Sequence, residues 1–263
     1  MQATAPGHDL LFSAILEDAG SLADGAVIVR HPFLCDPIAG GLARELLRRA
    51  ERALSSPPTV MTAFAGPDAW ARSWRATLGD RGVEGVTAAV RRAGLLEVRV
   101  ILRPFPTTRR WRDAILDSCA DLVAPTAWEL PAGTDQSVVA PTATDDSDAH
   151  LPFALADNAV FHSPVLARPV HGAALVRRVI ASAAAVYGSR VVGPSLAAGN
   201  QVLSLWSCEV SSVAIEAASL AVFDAERRAT SLSVLFQPWP AVALFRARVR
   251  ARAQHVLGPE YFD

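Results

Sequence analysis

Apolar positions along the chain follow two periods, and the order of those periods is repeated. Residues 9–23 place Leu11, Ile15 and Leu22 near one face, with Asp9 as an N-cap, and predict a helix. A short strand is expected at Ala26 to Val29. A Pro-rich turn over 31–40 and a strongly amphipathic helix from Leu42 to Leu54 follow, and Ser55-Ser56-Pro57-Pro58 closes that helix. Alternation then predicts strands at 59–65, 69–78, 83–92 and 95–102, with Gly79-Asp80-Arg81-Gly82 as a hairpin turn. Pro104 ends the last strand, and residues 108–123 read as a helix. The same order then returns: strand 159–162, turn 163–172, helix 173–187, strands 201–210, 213–223 and 229–236, and helix 241–257.

Individual residues repeat along with the elements. Leu22-Ala23-Asp24-Gly25-Ala26-Val27 returns as Leu155-Ala156-Asp157-Asn158-Ala159-Val160. Pro32, Leu34, Pro37 and Gly40 return as Pro164, Leu166, Pro169 and Gly172. Trp74 returns as Trp206, Glu84 as Glu216, and Arg103-Pro104-Phe105-Pro106 as Gln237-Pro238-Trp239-Pro240. The repeat is far longer than a solenoid unit and has the size of a domain. It divides the chain into 1–123, a polar linker rich in Pro, Thr, Ser and Asp at 124–150, and 151–263.

Composition narrows the functional classes. With 51% hydrophobic residues in 263, each half can bury a core. The net charge of −1 offers no global attraction for nucleic acid or an anionic membrane. Every basic residue is an arginine, which together with the abundant alanine reads as genomic base composition. Cys35, Cys119 and Cys208 are scattered and odd in number, with no CxxC pair, which points to a reducing cytoplasm. The N-terminal stretch has no basic n-region and so does not read as a signal peptide. No apolar run approaches a membrane span; the best, 170–187, is broken by Arg177-Arg178. No glycine-rich phosphate loop and no GxSxG elbow is present.

Helix, strand, a Pro-x-x-x-x-Pro-x-x-Gly turn, helix, then a curled antiparallel sheet ending in Arg-Pro and a helix resembles the nuclear transport factor 2-like superfamily, in its SnoaL-like and ketosteroid-isomerase-like branches. The resemblance rests on the turns after Leu22 and Leu155 and on the strand ends Val98 to Pro106 and Leu232 to Pro240. It covers nearly the whole chain outside the linker. It implies an α+β fold of two fused cone-shaped barrel domains forming an intrachain pseudo-dimer. One departure is the small space left for the family's long first helix. The superfamily contains isomerases, epoxide hydrolases, polyketide cyclases, dehydratases and non-catalytic binders, so the site must decide between them.

The resemblance places a general-base carboxylate just before the first turn proline. Here His31 and Ser163 stand at that position. A histidine can still move a proton near neutral pH, and as a turn residue it has an equally ordinary structural role. The family's acidic oxyanion donor would fall near Val86–Ala89 and Ala218–Ser219, where no acid is present. Asp36 is the nearest carboxylate on the turn, and its counterpart is Arg168. On strand 69–78, Trp70, Arg72, Trp74 and Ala76 share the face that the resemblance turns into the cone; Val202, Ser204, Trp206 and Cys208 match them. Arg72 could hold an anionic oxygen, or lie in solvent if the strand slips by one residue. Glu84 and Glu216 fall on the opposite face, where pairing with Arg99 or Arg103 is expected. His162 and His171 lack zinc-ligand spacing, so no metal and no cofactor is expected.

With these residues, the resemblance implies a cofactor-free cyclase or isomerase of bacterial secondary metabolism. It would act on a hydrophobic polyketide-like substrate in the first cone. His31, Arg72 and Asp36 are its candidate catalytic groups, and Trp70, Trp74, Trp206, Ser163 and Ser204 its candidate binding residues. A non-catalytic binder or assembly partner is the second reading. A tandem epoxide hydrolase is the third, and it requires an acidic pair in each cone.

Overall fold

The computed structural model describes residues 27–138, 151–188 and 190–263. The helix expected at 9–23 lies outside them. The elements are β1 (Val27–Arg30), β2 (Ile38–Ala39), α1 (Gly40–Arg52), β3 (Thr59–Ala65), β4 (Ala69–Leu78), β5 (Arg81–Arg92), β6 (Leu95–Arg103) and α2 (Phe105–Leu116). They continue with β7 (Leu155–His162), β8 (Val170–His171), α3 (Ala173–Ala184), β9 (Val191–Ala198), β10 (Gln201–Val210), β11 (Val213–Phe223), β12 (Ala229–Gln237) and α4 (Trp239–Leu257). The architecture is α+β: a curled, unclosed and mainly antiparallel sheet with these helices against it.

The sheet runs β3-β4-β5-β6-β12-β11-β10-β9. β1 adds to β6 and β7 to β12, both in parallel. At the centre β6 and β12 meet through one antiparallel pair, Leu102 with Phe236. Three apolar layers follow from the alternation. One face of β4–β6 packs Trp74, Val98 and Val100 against Leu46 and Leu47 of α1 and Trp111 of α2. The corresponding face of β10–β12 packs Trp206, Ala217 and Phe236 against Val176 of α3 and Phe245 of α4. The opposite faces meet each other through Ala71, Ala88 and Ile101 from one series and Leu203, Ala218 and Leu235 from the other.

Local sequence explains the helices. Ala43, Leu46, Leu47 and Ala50 are the buried stripe of α1. Prolines in the first turns of α2 and α4 fit there because those N–H groups lack helical partners. Both helices begin five residues or less before the expected starts, and α2 ends at Leu116 in a short 3-10 turn, Asp117–Cys119. The hairpin loop is tighter than expected, with Gly79-Asp80 alone between β4 and β5. β9 was not expected, since Gly193 and Pro194 interrupt it. β9 is an edge strand, where proline is tolerated, and at Gly193 a Cβ would stand 2.8 Å from the Leu205 carbonyl oxygen.

The segment read as a polar linker begins with structure. A 3-10 turn at Pro125–Trp128 puts Trp128 into the first core, 2% exposed. Two backbone bonds also tie the starts of α2 and α4 to the turns that follow β7 and β1. Phe105 N–H donates to Pro164 O at 2.9 Å, and Trp239 N–H donates to Pro32 O at 2.8 Å. The rings of Phe105 and Trp239 stack with centroids 5.3 Å apart. Among the described residues no helix is long and apolar enough to cross a membrane.

Candidate functional site

Between β10–β12 and helices α3 and α4 lies an apolar cavity of about 80 Å³. Sheet strands give it Phe161, Trp206, Leu232 and Phe236, and helices α3 and α4 give it Ile180, Ala183 and Phe245. Its polar groups are few: the hydroxyls of Ser163, Ser204 and Ser219, with Tyr187 and Arg190 after α3. Trp206 donates its indole N–H to Ser219 Oγ at 2.9 Å, and Ser204 pairs with Ser195 at 2.9 Å. The Arg190 guanidinium lies over the Trp206 ring, 4.5 Å from its centroid. The Tyr187 ring is 5.8 Å from that of Trp206, and burial pushes its hydroxyl up to about 12. Tyr187 is therefore a neutral donor at physiological pH. Tyr187, Arg190 and Ser219 were not singled out from sequence. Ser219 could have been found from its position directly across from Ser204 in the β10–β11 ladder.

The same face of the first series is packed with larger side chains. Phe33 stands where the second series has Val165, and Trp111 where it has Phe245. Phe33, Trp74, Trp111 and Trp128 are each 2% exposed or less. Their rings make edge contacts, Phe33 to Trp111 at 5.7 Å and Trp74 to Trp111 at 6.3 Å. Trp74 donates to Thr87 Oγ1 at 3.0 Å, matching the Trp206–Ser219 bond.

His31 is wholly buried in this packing. Its ring meets Phe33 and Trp128 edge-on, at 5.6 and 6.0 Å. Burial lowers it to about 3, so it is neutral at physiological pH and a feeble base. Its Nδ1 accepts the Phe33 N–H at 3.4 Å, while its Nε2 is buried without a hydrogen-bond partner. Ser163 does the same job in the second series, where its Oγ accepts the Val165 N–H at 3.2 Å. Both residues thus tie down the turn two residues ahead, and Ser163 also lines the cavity. Trp70, Arg72 and Trp74 alternate on the cone-facing side of β4, with Arg72 half-buried, so the expected strand phase holds. The Arg91 guanidinium lies 5.8 Å from the Trp70 centroid. Asp36 is exposed on the turn, away from that row. Of the named residues, Ser163, Ser204 and Trp206 come together around one cavity.

The acidic residues on the opposite face pair as their alternation implies. Arg103 bonds Glu84 across the β5–β6 ladder, and Arg99 Nη1 stands 2.7 Å from Glu216 Oε2 across the two series. Among the described residues, no cluster of three His, Cys, Asp or Glu side chains could hold a metal ion. None of the described residues lining the cavity beside Trp206 is an Asp or Glu, the residue types that epoxide opening requires.

No family model matches the sequence, and neither does any curated protein. Solved structures do match. A steroid delta-isomerase from Pseudomonas aeruginosa is 23% identical, with 39% of this chain and 77% of that chain covered at a TM-score of 0.37. A bacterial protein with a cystatin-like fold from Silicibacter pomeroyi is 18% identical, with 39% and 72% covered at 0.38. A putative isomerase of the SnoaL-like family from Agrobacterium tumefaciens is 16% identical, with 32% and 74% covered at 0.28. In fold, the chain is similar to nuclear transport factor 2-like proteins, including ketosteroid-isomerase-like and SnoaL-like ones.

Proposed function

We propose that residues 1–123 and 151–263 are duplicated cone-shaped units packed back to back as an intrachain pseudo-dimer, and that the second unit binds a compact, largely apolar small molecule. The reciprocal Phe105–Pro164 and Trp239–Pro32 bonds support the first part, because equivalent groups exchange equivalent contacts only across a two-fold relation. The stacking of Phe105 on Trp239, its equivalent in the repeat, supports it as well, since a residue near a two-fold axis meets its own counterpart.

The apolar cavity of the second cone carries the functional reading. Its apolar wall with a few convergent polar groups is the usual make-up of a small-molecule site. Its 80 Å³ is small against the roughly 300–1,000 Å³ of sites for drug-sized ligands, which favours a compact ligand over an extended polyketide. Ser204, Tyr187 and Arg190 would meet one oxygen-bearing end, and Trp206 the apolar body. The working cone is then the second, and the first supplies a rigid partner.

A catalytic reading, cofactor-free isomerisation or cyclisation, stands second. It is favoured by the pairing of a protonated phenol with a guanidinium beside Trp206, which could polarise a carbonyl or enolate oxygen. No described residue in the cavity wall offers a carboxylate or imidazole base, so the reaction would be one driven by shape and polarisation.

The experiment is a thermal-shift and calorimetric screen of compact cyclic ketones, lactones and aromatic acids, followed by mass spectrometry of each bound compound after incubation. Binding without chemical change supports the first reading, and conversion supports the second. Failure of every compound to bind, or equal binding after the cavity is filled, would sink both.

A further inference from the structure

A second cavity lies on the other side of the sheet, in the seam between the two series. Its volume is about 240 Å³. Its polar wall holds Arg75, Arg103, Glu84, His162, Ser231 and Ser233, and its apolar wall includes Leu220 and Val222. Arg103 is nine-tenths buried, with a side chain 10% exposed. It bonds Glu84 through Nη2, while its Nε is buried without a hydrogen-bond partner. Arg75 also pairs with Glu84, at 3.1 Å. A single carboxylate therefore serves two guanidinium groups. Burial lowers the His162 pKa, and the positive charge of Arg103 lowers it further, so this imidazole adds no charge at neutral pH.

The equivalent place across the pseudo-axis is built differently. There Arg30 stands for His162, Glu216 for Glu84 and Gln237 for Arg103. Two arginines, Arg30 and Arg99, meet two carboxylates, Glu97 and Glu216. That side is balanced, and the space left beside it is only about 10 Å³. The open side has two arginines to one carboxylate, with Arg75 61% exposed and Arg103 buried, and it has room for a molecule. Buried Arg103 shares its one carboxylate with Arg75, so a bound anion would give its guanidinium a second charge-assisted partner.

We propose that the seam cavity binds a small organic monocarboxylate. Its carboxylate would accept from the Arg103 guanidinium and the Ser231 and Ser233 hydroxyls, and its apolar chain would lie along Leu220 and Val222. One negative charge completes the balance, and the mixed wall suits an amphiphile better than an inorganic ion.

The test is calorimetry of the full chain with acetate, butyrate, hexanoate, hexanol and inorganic phosphate. Hexanoate should bind with one-to-one stoichiometry and at least about tenfold more tightly than hexanol, since the alcohol cannot replace the charge-assisted bonds. Arg103→Met should abolish hexanoate binding. Ser233→Leu, which fills the cavity and keeps the Arg103–Glu84 pair, should abolish it too and covers the case in which the first variant misfolds. Ala183→Phe, in the other cavity, should leave it unchanged. The proposal is overturned if hexanoate fails to bind at millimolar concentration, if hexanol or phosphate binds as well, or if binding survives Ser233→Leu.

Discussion

Gly85 lies directly across the β4–β5 ladder from Trp74, and the indole occupies the space where a side chain at 85 would begin. A Cβ there would come within 2.1 Å of the Trp74 ring. Gly85→Ala should therefore destabilise the protein by about 1–3 kcal/mol, the usual range for overpacking a filled core. Urea unfolding of the two proteins measures it. An unchanged midpoint would mean that the indole sits elsewhere.

His31 gives the protein an acid-sensitive core. Its folded pKa is lowered to about 3 from 6.5, so the unfolded chain binds the extra proton first as pH falls. Stability from this residue is complete above about pH 6.5 and declines towards pH 3, by at most about 1.4 kcal/mol per pH unit. Asparagine can also accept the Phe33 N–H and does not titrate. His31→Asn should flatten the wild-type loss between pH 6.5 and pH 4 in denaturant titrations. A variant with the same slope as wild type would place the titration on another group.

Glu216 acts in the opposite sense. Burial raises its pKa above 4.5, outweighing the attraction of Arg99 and Arg30. The unfolded carboxyl therefore ionises first as pH rises, and the folded state loses stability from about pH 4.5 upward. Glu216→Gln mimics the neutral form. Its stability relative to wild type should increase from pH 4 to pH 7, read from paired urea curves. A constant difference across that range would show that the pair with Arg99 fully offsets burial.

Ala183 on α3 faces the cavity of the second cone. Ala183→Phe should fill it, abolish binding of any ligand found in the screen, and leave the circular dichroism spectrum unchanged. Trp206 fluorescence provides the readout, since its ring borders the same space. Undiminished ligand binding by a folded variant would move the site elsewhere.

Much of the framework was legible because period and punctuation agreed. The strands 59–65, 69–78, 201–210 and 213–223 keep their expected bounds, and the phase of Trp70, Arg72 and Trp74 follows from simple alternation. The Glu84–Arg103 and Glu216–Arg99 pairs were legible for the same reason. What escaped depends on tertiary context. β9 is hidden by Gly193 and Pro194, residues that only an edge position accommodates. Trp128 sits in a stretch whose composition is that of a linker, and only the fold shows that the first core needs its ring. The location of the cavity is a matter of volume. Phe33 and Trp111 in place of Val165 and Phe245 look like ordinary apolar exchanges in the sequence, yet they help fill one cone while the other stays open. His31 drew attention as chemistry because its partner, a backbone N–H two residues on, has no signature of its own.

The two arginines that β6 brings to the seam have no counterpart on β12. β6 presents Glu97, Arg99 and Arg103 where β12 presents Ser231, Ser233 and Gln237. A second series paired with a copy of itself would bury Glu216 against serine, with no cation opposite. A first series paired with itself would ask Glu84, already shared by Arg75 and Arg103, to serve the Arg99 of its twin as well. Neither half is suited to its own likeness. The two faces of the seam are matched to each other and not to themselves: separating them would strip Glu216 of both arginines, Arg30 and Arg99, that offset its buried charge.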